Sequence, residues 1–161
     1  MKAIERILVP IDFSASALKT VDEAVEFSRP YGSELILLFV VERMIYESPL
    51  LVIDSSELLK SQARAAREKL EEICTSLRKD GIKCRALVES GSAYQAIVEA
   101  AKKVHADLIV ISTHGLTGLV HIVMGSVAER VVQHAACPVL VIRTLAKPKR
   151  AAVTRSRARL Q

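Results

Sequence analysis

Two glycine-containing stretches late in the sequence have the clearest pattern of residues that could bind a ligand. The first runs from Ser112 to Gly118 and reads STHGLTG, and after six intervening residues Gly125 and Ser126 precede a segment with helical spacing. The first N–H groups of a helix lack backbone partners and the helix dipole favours negative charge there, so a phosphate could bind at this point. Gly125 would let the backbone approach the phosphate, and Ser126 could bond one of its oxygens. The same pair is equally typical of an ordinary turn followed by a helix cap.

Other residue types that could do chemistry do not form a catalytic pattern. The sequence has neither a Walker P-loop nor a GxGxxG fingerprint, and no Ser-His-Asp order, pair of carboxylates or metal cluster stands out for fast catalysis. His114 could contact a phosphate or fill a turn, and it lies seven residues from His121, so we expect no metal site from protein side chains alone. Asp12 and Ser14 are interpreted as turn chemistry rather than as a catalytic pair.

The composition is that of a soluble globular protein of one domain. The chain has 161 residues, half of them apolar, and its longest apolar run, Leu35 to Val41, is much shorter than a membrane span. The N-terminal apolar stretch is interrupted at Pro10, so no signal peptide is predicted. Three cysteines without a CxxC spacing, Cys74, Cys84 and Cys137, predict reduced thiols in a cytoplasmic protein.

The net charge of +5 is concentrated at the carboxyl terminus. Residues 144–161 contain six basic residues and no acid, which leaves 17 basic and 18 acidic residues in the rest of the chain. We therefore expect a basic, disordered tail over 144–161 and a near-neutral domain over 1–143. A domain with this charge balance predicts no specific nucleic-acid surface.

Apolar segments of strand length alternate with segments of helical spacing. The five predicted strands are Ile7–Val9, Leu35–Val41, Cys84–Val88, Leu108–Ile111 and Val139–Ile142. Continuous apolar strands that alternate with helices indicate βαβ units, and therefore an α/β fold with a parallel sheet covered by helices on both faces. The intervening loop over 42–53 is long and is a candidate lid or partner surface.

The helical segments show both a buried face and start signals. Leu18, Val21 and Val25 recur at helical spacing in the first helix. Three further helix starts are marked by pairs typical of a capping box, which are Asp54 with Glu57, Ser92 with Gln95, and Ser126 with Glu129. In the long second helix the apolar residues favour a helix that lies on the sheet over a coiled coil, because it offers only about three heptads.

Two separated motifs resemble the universal stress protein family. The first is ILVPIDFS over Ile7–Ser14, and the second is the stretch Ser112–Arg143, which contains GSVAERV and CPVLVIR. Together with the order of the elements, the resemblance spans about residues 3–143.

The family's nucleotide motif is Gly, two residues, Gly, nine residues, Gly and then Ser or Thr. Gly115, Gly125 and Ser126 match this motif, whereas Ser112 stands in place of its first glycine. If that position needs a positive φ, serine strains the site and Ser112→Gly raises ATP affinity, which is the outcome we favour. If only close approach matters, the Ser112 hydroxyl could bond the ligand instead.

The resemblance implies a Rossmann-like sheet of five parallel strands in the order 3-2-1-4-5, similar to that of the adenine nucleotide alpha hydrolases, with ATP between the ends of strands one and four. By position, the implied nucleotide-binding residues are Pro10, Ile11, Asp12, Val40, Ser112, Thr113, His114, Gly115, Leu116, Thr117, Gly118, Gly125, Ser126 and Val127. Asp12 would lie near adenine or ribose, Val40 would contact adenine through its backbone, and Gly125 to Val127 would hold the phosphates.

The resemblance therefore implies an ATP-binding stress-response regulator with at most slow ATP hydrolysis. Mg²⁺ could bind through the phosphates, since it takes few protein ligands. The expected partners are a second copy of the chain, paired through Val139, Leu140, Val141 and Ile142, and a client protein, but neither a membrane nor a specific nucleic acid. One alternative is a nucleotide-free interaction module of the same fold. The other is an adenylyl- or phosphoryl-transfer enzyme, which would need a His- or Lys-rich clamp that we do not find.

Overall fold

A computed structural model describes residues 3–42, 55–113 and 124–143 of the chain. The elements are β1 (Arg6–Pro10), α1 (Ala15–Ser28), a short 3-10 helix (Arg29–Tyr31), β2 (Glu34–Val41), α2 (Ser55–Lys79), β3 (Cys84–Ser90), α3 (Ala93–Lys103), β4 (Leu108–Ser112), α4 (Ser126–His134) and β5 (Val139–Ile142). This order confirms the predicted alternation of strands and helices. The predicted tail over 144–161 and all of the predicted loop except Glu42 lie outside the described residues.

The five strands form one parallel sheet in the order β3-β2-β1-β4-β5, which confirms the expected strand order. Leu8 at the middle of β1 pairs with Ile36 of β2 on one side and with Ile109 of β4 on the other. All three of these side chains are fully buried. The central strands are apolar at successive positions because helices cover both faces of the sheet.

Successive residues of each strand contribute to two different cores. On one face, Ile7 and Leu35 pack with side chains of α1 and α2. On the other face, Leu8 and Ile36 pack with side chains of α3 and α4. Among the described residues, no helix is long and apolar enough to cross a membrane.

The buried face of α1 differs from the predicted one in one residue. Val21 and Val25 are buried as predicted, but Leu18 is 43% exposed. Small residues next to the sheet, including Ala17 and Ala24, occupy the buried stripe and let the helix approach closely. Leu18 lies beside this stripe and faces solvent.

Two of the three predicted capping boxes are wrong, and the third begins at Asp54, outside the described residues. Ser92 is the N-cap of α3, but its side chain makes no capping hydrogen bond. Instead, the Ala93 N–H donates to the Glu42 carboxylate at 3.2 Å, because β2 ends beside the start of α3. Ser126 is the first residue inside α4, so the N-cap is Gly125, which has no capping side chain.

The prediction of three reduced thiols is wrong for two of them. Cys74 and Cys84 form a disulfide, with 5.2 Å between their Cα atoms, and only Cys137 is free. A tight turn through Gly81, at φ +79°, returns the chain so that the start of β3 lies against the last turns of α2. Cysteine spacing along the sequence does not reveal this pairing, because it depends on where the turn places the two side chains.

Candidate functional site

The strand order reverses between β1 and β4, so the chain leaves the carboxyl ends of these two strands in opposite directions along the sheet. After β1 the chain crosses through α1 to β2 on one side, and after β4 it crosses through α4 to β5 on the other side. In open α/β sheets ligands bind at such a switch point. The structure therefore brings the ends of β1, β2 and β4 and the start of α4 to one edge, and these segments contain the described members of the predicted site.

The segment after β1 is a hydrogen-bonded turn that leads into α1. The Ile11 N–H donates to the Leu38 carbonyl at 2.8 Å, which extends the pairing with β2. The Asp12 Oδ1 atom accepts from the Ser14 N–H at 3.0 Å, and the Ser14 Oγ atom accepts from the Ala17 N–H at 3.1 Å. This is the turn chemistry predicted for Asp12 and Ser14, with Ser14 as the N-cap of α1.

Val40 lies near the carboxyl end of β2 and is half-buried. It packs against the core beneath α3 and α4, the same core that Met124 contacts just before α4 begins. Its neighbour Phe39 packs on the opposite face of the sheet. Val40 therefore lies on the same face of the sheet as the start of α4.

The backbone of Gly125 is hydrogen-bonded to Thr113, the residue that follows β4. The Gly125 N–H donates to the Thr113 carbonyl at 2.7 Å, and the Thr113 N–H donates to the Ile142 carbonyl of β5 at 3.0 Å. A Cβ atom placed on Gly125 would lie 2.8 Å from the Thr113 oxygen, which is closer than real side chains approach. Glycine is thus required here by the junction itself, a reason that the sequence does not reveal.

At the start of α4, the first N–H groups have no hydrogen-bond partner among the residues that the structure describes. Gly125 contributes no side chain as N-cap, and the first intrahelical hydrogen bond runs from the Glu129 N–H to the Gly125 carbonyl at 3.0 Å. Ser126 and Val127 are exposed in the first turn. This terminus has the donors and the dipole direction that an anion needs.

Ser112 does not have the backbone strain that we expected. It is the last residue of β4, pairs in register with Ile142, and is absent from the described non-glycine residues with positive φ. The strand conformation tolerates any side chain, so the strain argument for Ser112→Gly is wrong. The remaining predicted site residues, His114, Gly115, Leu116, Thr117 and Gly118, lie outside the described residues.

A second concavity lies at the opposite edge of the sheet, before β4 and β5 begin. It is a cavity of about 350 Å³ lined by Ala101, Lys102, His105, Ala106, Asp107, Ala136 and Cys137. Burial raises the pKa of the Cys137 thiol above its usual value, and the Asp107 carboxylate adds to that increase. A protonated thiol is a weak nucleophile, so this group is not suited to covalent chemistry near neutral pH. Among the described residues, no group of three side chains could hold a metal ion.

The open parallel sheet, its helices on both faces and its switch point between β1 and β4 place the chain among the doubly wound α/β proteins. The family model of the universal stress protein family matches residues 3–143, and the chain belongs to that family. The chain is 35% identical over 153 residues to universal stress protein MJ0531 of Methanocaldococcus jannaschii, and the match covers 91% of this chain and 84% of that protein.

Solved structures agree with the family membership. Universal stress protein UspA from Lactobacillus plantarum superposes with a TM-score of 0.78 at 30% identity, and the match covers 89% of this chain and all of that one. A universal stress protein family protein from Arabidopsis thaliana, solved with AMP bound, shares the fold with a TM-score of 0.61 at 24% identity. That match covers 88% of this chain and 93% of that one.

Proposed function

We propose that this protein binds ATP at the carboxyl edge of its sheet and acts as a stress-response regulator rather than as a committed enzyme. The observation that carries the proposal is the N-terminus of α4, which begins at Gly125 without a capping side chain and opens at the switch point. The phosphates would bind to the first N–H groups of α4 and the Ser126 hydroxyl. Mg²⁺ would bind through the phosphates.

At the starts of α1 and α3, the other two α-helices with described N-caps, side-chain oxygens of the chain itself accept hydrogen bonds from backbone N–H groups. The Ser14 hydroxyl caps α1, and the Glu42 carboxylate accepts from the first N–H group of α3. Protein groups therefore already satisfy part of the donor set at those two starts, whereas the first donors of α4 have no partner in the described part of the chain. This contrast favours α4 as the phosphate site.

The nucleoside would lie between the ends of β1 and β2. One oxygen of Asp12 is used by Ser14, and the carboxylate, which is half-buried, could accept a hydrogen bond from a ribose hydroxyl or the adenine amine. Val40 offers its backbone on the neighbouring strand. The Arabidopsis thaliana neighbour shows that this fold can accommodate an adenine nucleotide.

A charge placed at the start of α4 tests the phosphate assignment without disturbing the fold. Ser126 is exposed, and an acidic residue in the first turn of a helix stabilises it by about 0.3–1 kcal/mol. Ser126→Asp should therefore fold at least as well as the wild type but bind ATP at least tenfold more weakly, because its carboxylate repels the phosphates. Ser92→Asp at the exposed start of α3 carries the same charge change and should leave ATP affinity unchanged.

Isothermal titration calorimetry with Mg²⁺ and ATP measures both variants. Wild-type affinity in a folded Ser126→Asp protein would refute the phosphate assignment. No ATP binding by the wild-type chain would refute the proposed function and favour a nucleotide-free interaction module. Multiple turnovers with a defined acceptor would favour a transfer enzyme instead.

We further propose that a second copy of the chain pairs with β5. The Ile109 and Thr113 N–H groups of β4 donate to the carbonyls of Pro138 and Ile142. Because backbone groups alternate in direction along a strand, those of Val139 and Val141 point away from β4. These outward N–H and C=O groups have no partner among residues 3–42, 55–113 and 124–143, and the four apolar side chains of β5 are half-buried, so this edge strand is suited to pairing with another strand.

A further inference from the structure

Phe13 has a backbone conformation that its residue type rarely adopts. Its φ is +60°, and it and His105 are the two non-glycine residues with positive φ in the part of the chain that the structure describes. The left-handed region is disfavoured for any residue with a Cβ atom, and a bulky aromatic residue is found there only when its surroundings hold it. Such residues cluster at functional sites, and Phe13 directly follows Asp12, a candidate ligand of the nucleoside.

Contacts from two other elements hold Phe13 in this conformation. Its ring stacks on that of Phe39 in β2, with 5.1 Å between the centroids and 26° between the planes. The Lys69 ammonium of α2 lies 5.4 Å from the centroid of the Phe13 ring. A stacked ring pair and a cation over a ring are both attractive, so these contacts offset the unfavourable φ. The ring of Phe13 thus contacts other side chains of the protein, and we do not assign it a role in stacking on the adenine base.

The conformation of Phe13 sets the direction of the Asp12 carboxylate. The chain reverses at Phe13, which lets the Asp12 Oδ1 atom accept from the Ser14 N–H and lets Ser14 cap α1. With Oδ1 fixed in this way, the second carboxylate oxygen has a defined position at the carboxyl edge. If residue 13 moved to an ordinary φ, the turn could not close in this form and the carboxylate would lose its anchor.

The ring stack also connects the two candidate nucleoside contacts. Phe39 and Val40 are successive residues of β2 and pack on opposite faces of the sheet. Phe39 contacts the turn that carries Asp12, and Val40 lies at the end of the same strand. The stack therefore places the turn after β1 next to the end of β2, and its role in the proposal is to offset the unfavourable φ of Phe13.

We infer that Phe13 is a positioning residue for the nucleoside, which presets the Asp12 carboxylate by holding a left-handed turn against Phe39 and Lys69. This inference rests on the proposed ATP binding at the same edge. It concerns the nucleoside half of the ligand only, because the start of α4, where the phosphates are proposed to bind, does not depend on the turn.

Two substitutions of Phe13 separate the turn conformation from the loss of the ring. Phe13→Gly removes the ring but adopts a positive φ without penalty, whereas Phe13→Ala removes the ring and retains the penalty. We expect Phe13→Gly to bind ATP within threefold of the wild type and Phe13→Ala to bind it at least tenfold more weakly. Phe27→Ala, which truncates an exposed phenylalanine of α1, is the matched control and should have no effect.

Calorimetry with ATP and with inorganic triphosphate shows which half of the ligand is affected. Triphosphate affinity should stay within twofold of the wild type in both Phe13 variants. Hydrogen exchange at the Ser14 amide should accelerate in Phe13→Ala and remain close to wild type in Phe13→Gly.

Each contrary result has a distinct meaning. The positioning role would be overturned if Phe13→Gly and Phe13→Ala bound ATP equally well, or if Phe13→Ala lost ATP and triphosphate affinity in parallel. In either case, ATP binding by the wild type would still support the proposed function. A wild-type chain that binds no adenine nucleotide would overturn both.

Discussion

The contact between Gly125 and Thr113 makes a quantitative prediction about the junction of β4 and α4. A Cβ atom on residue 125 would lie 2.8 Å from the Thr113 oxygen, whereas ordinary contacts begin near 3.4 Å. In Gly125→Ala the two backbone segments must therefore separate by about 0.6 Å, which strains the 2.7 Å hydrogen bond between them. Overpacking costs about 1–3 kcal/mol and a weakened hydrogen bond about 1 kcal/mol.

We expect Gly125→Ala to lower the free energy of unfolding by about 2–3 kcal/mol, and the melting temperature by about 5–10 °C. Urea denaturation followed by circular dichroism measures the change without any ligand. Ser126→Ala is the neighbouring control and should change stability by less than about 0.5 kcal/mol, because Ser126 is exposed and caps nothing. A Gly125→Ala protein as stable as the wild type would refute the reasoning and assign this glycine to ligand approach alone.

The remaining predictions concern the disulfide, the open edge and the tail. The unfolded chain should show one reactive thiol without reductant and three with it, and replacing Cys74 and Cys84 by alanine should cost about 2–3 kcal/mol, since the bridge spans 10 residues. Val141→Pro should convert a dimer to a folded monomer in analytical ultracentrifugation. Leu140→Pro should also destabilise the fold, because the N–H of Leu140 faces β4. A wild-type chain that is a monomer at high concentration would refute the pairing. Ending the chain after Thr144 should change the melting temperature by less than about 2 °C, and a larger fall would show that residues 145–161 dock on the domain.

At three positions, local sequence patterns did not reveal what the folded chain places there. Ser92 was expected to cap α3, but the carboxylate comes from Glu42, which lies 51 residues before its hydrogen-bond donor Ala93. Gly125 was interpreted through its freedom to approach a ligand, and the structure adds the Thr113 carbonyl as the group that excludes a side chain. A positive φ was expected at Ser112 but is found at Phe13, where no sequence pattern indicates it.

The class of fold was predictable from the sequence, because apolar strand-length segments that alternate with amphipathic helices are typical of a parallel sheet covered by helices. The sequence also indicated the family, through the motifs after the first strand and around Gly125. Three features were visible in the folded chain alone: the start of α4 without a capping side chain, the pairing of Cys74 with Cys84, and the left-handed Phe13 held by Phe39 and Lys69. The buried faces of helices and strands follow a periodic pattern of apolar residues, and this pattern can be recognised within a single segment of the sequence. Caps, disulfides and ring contacts instead depend on individual side chains that the fold brings together from different elements. Their distances therefore cannot be predicted from a local sequence pattern.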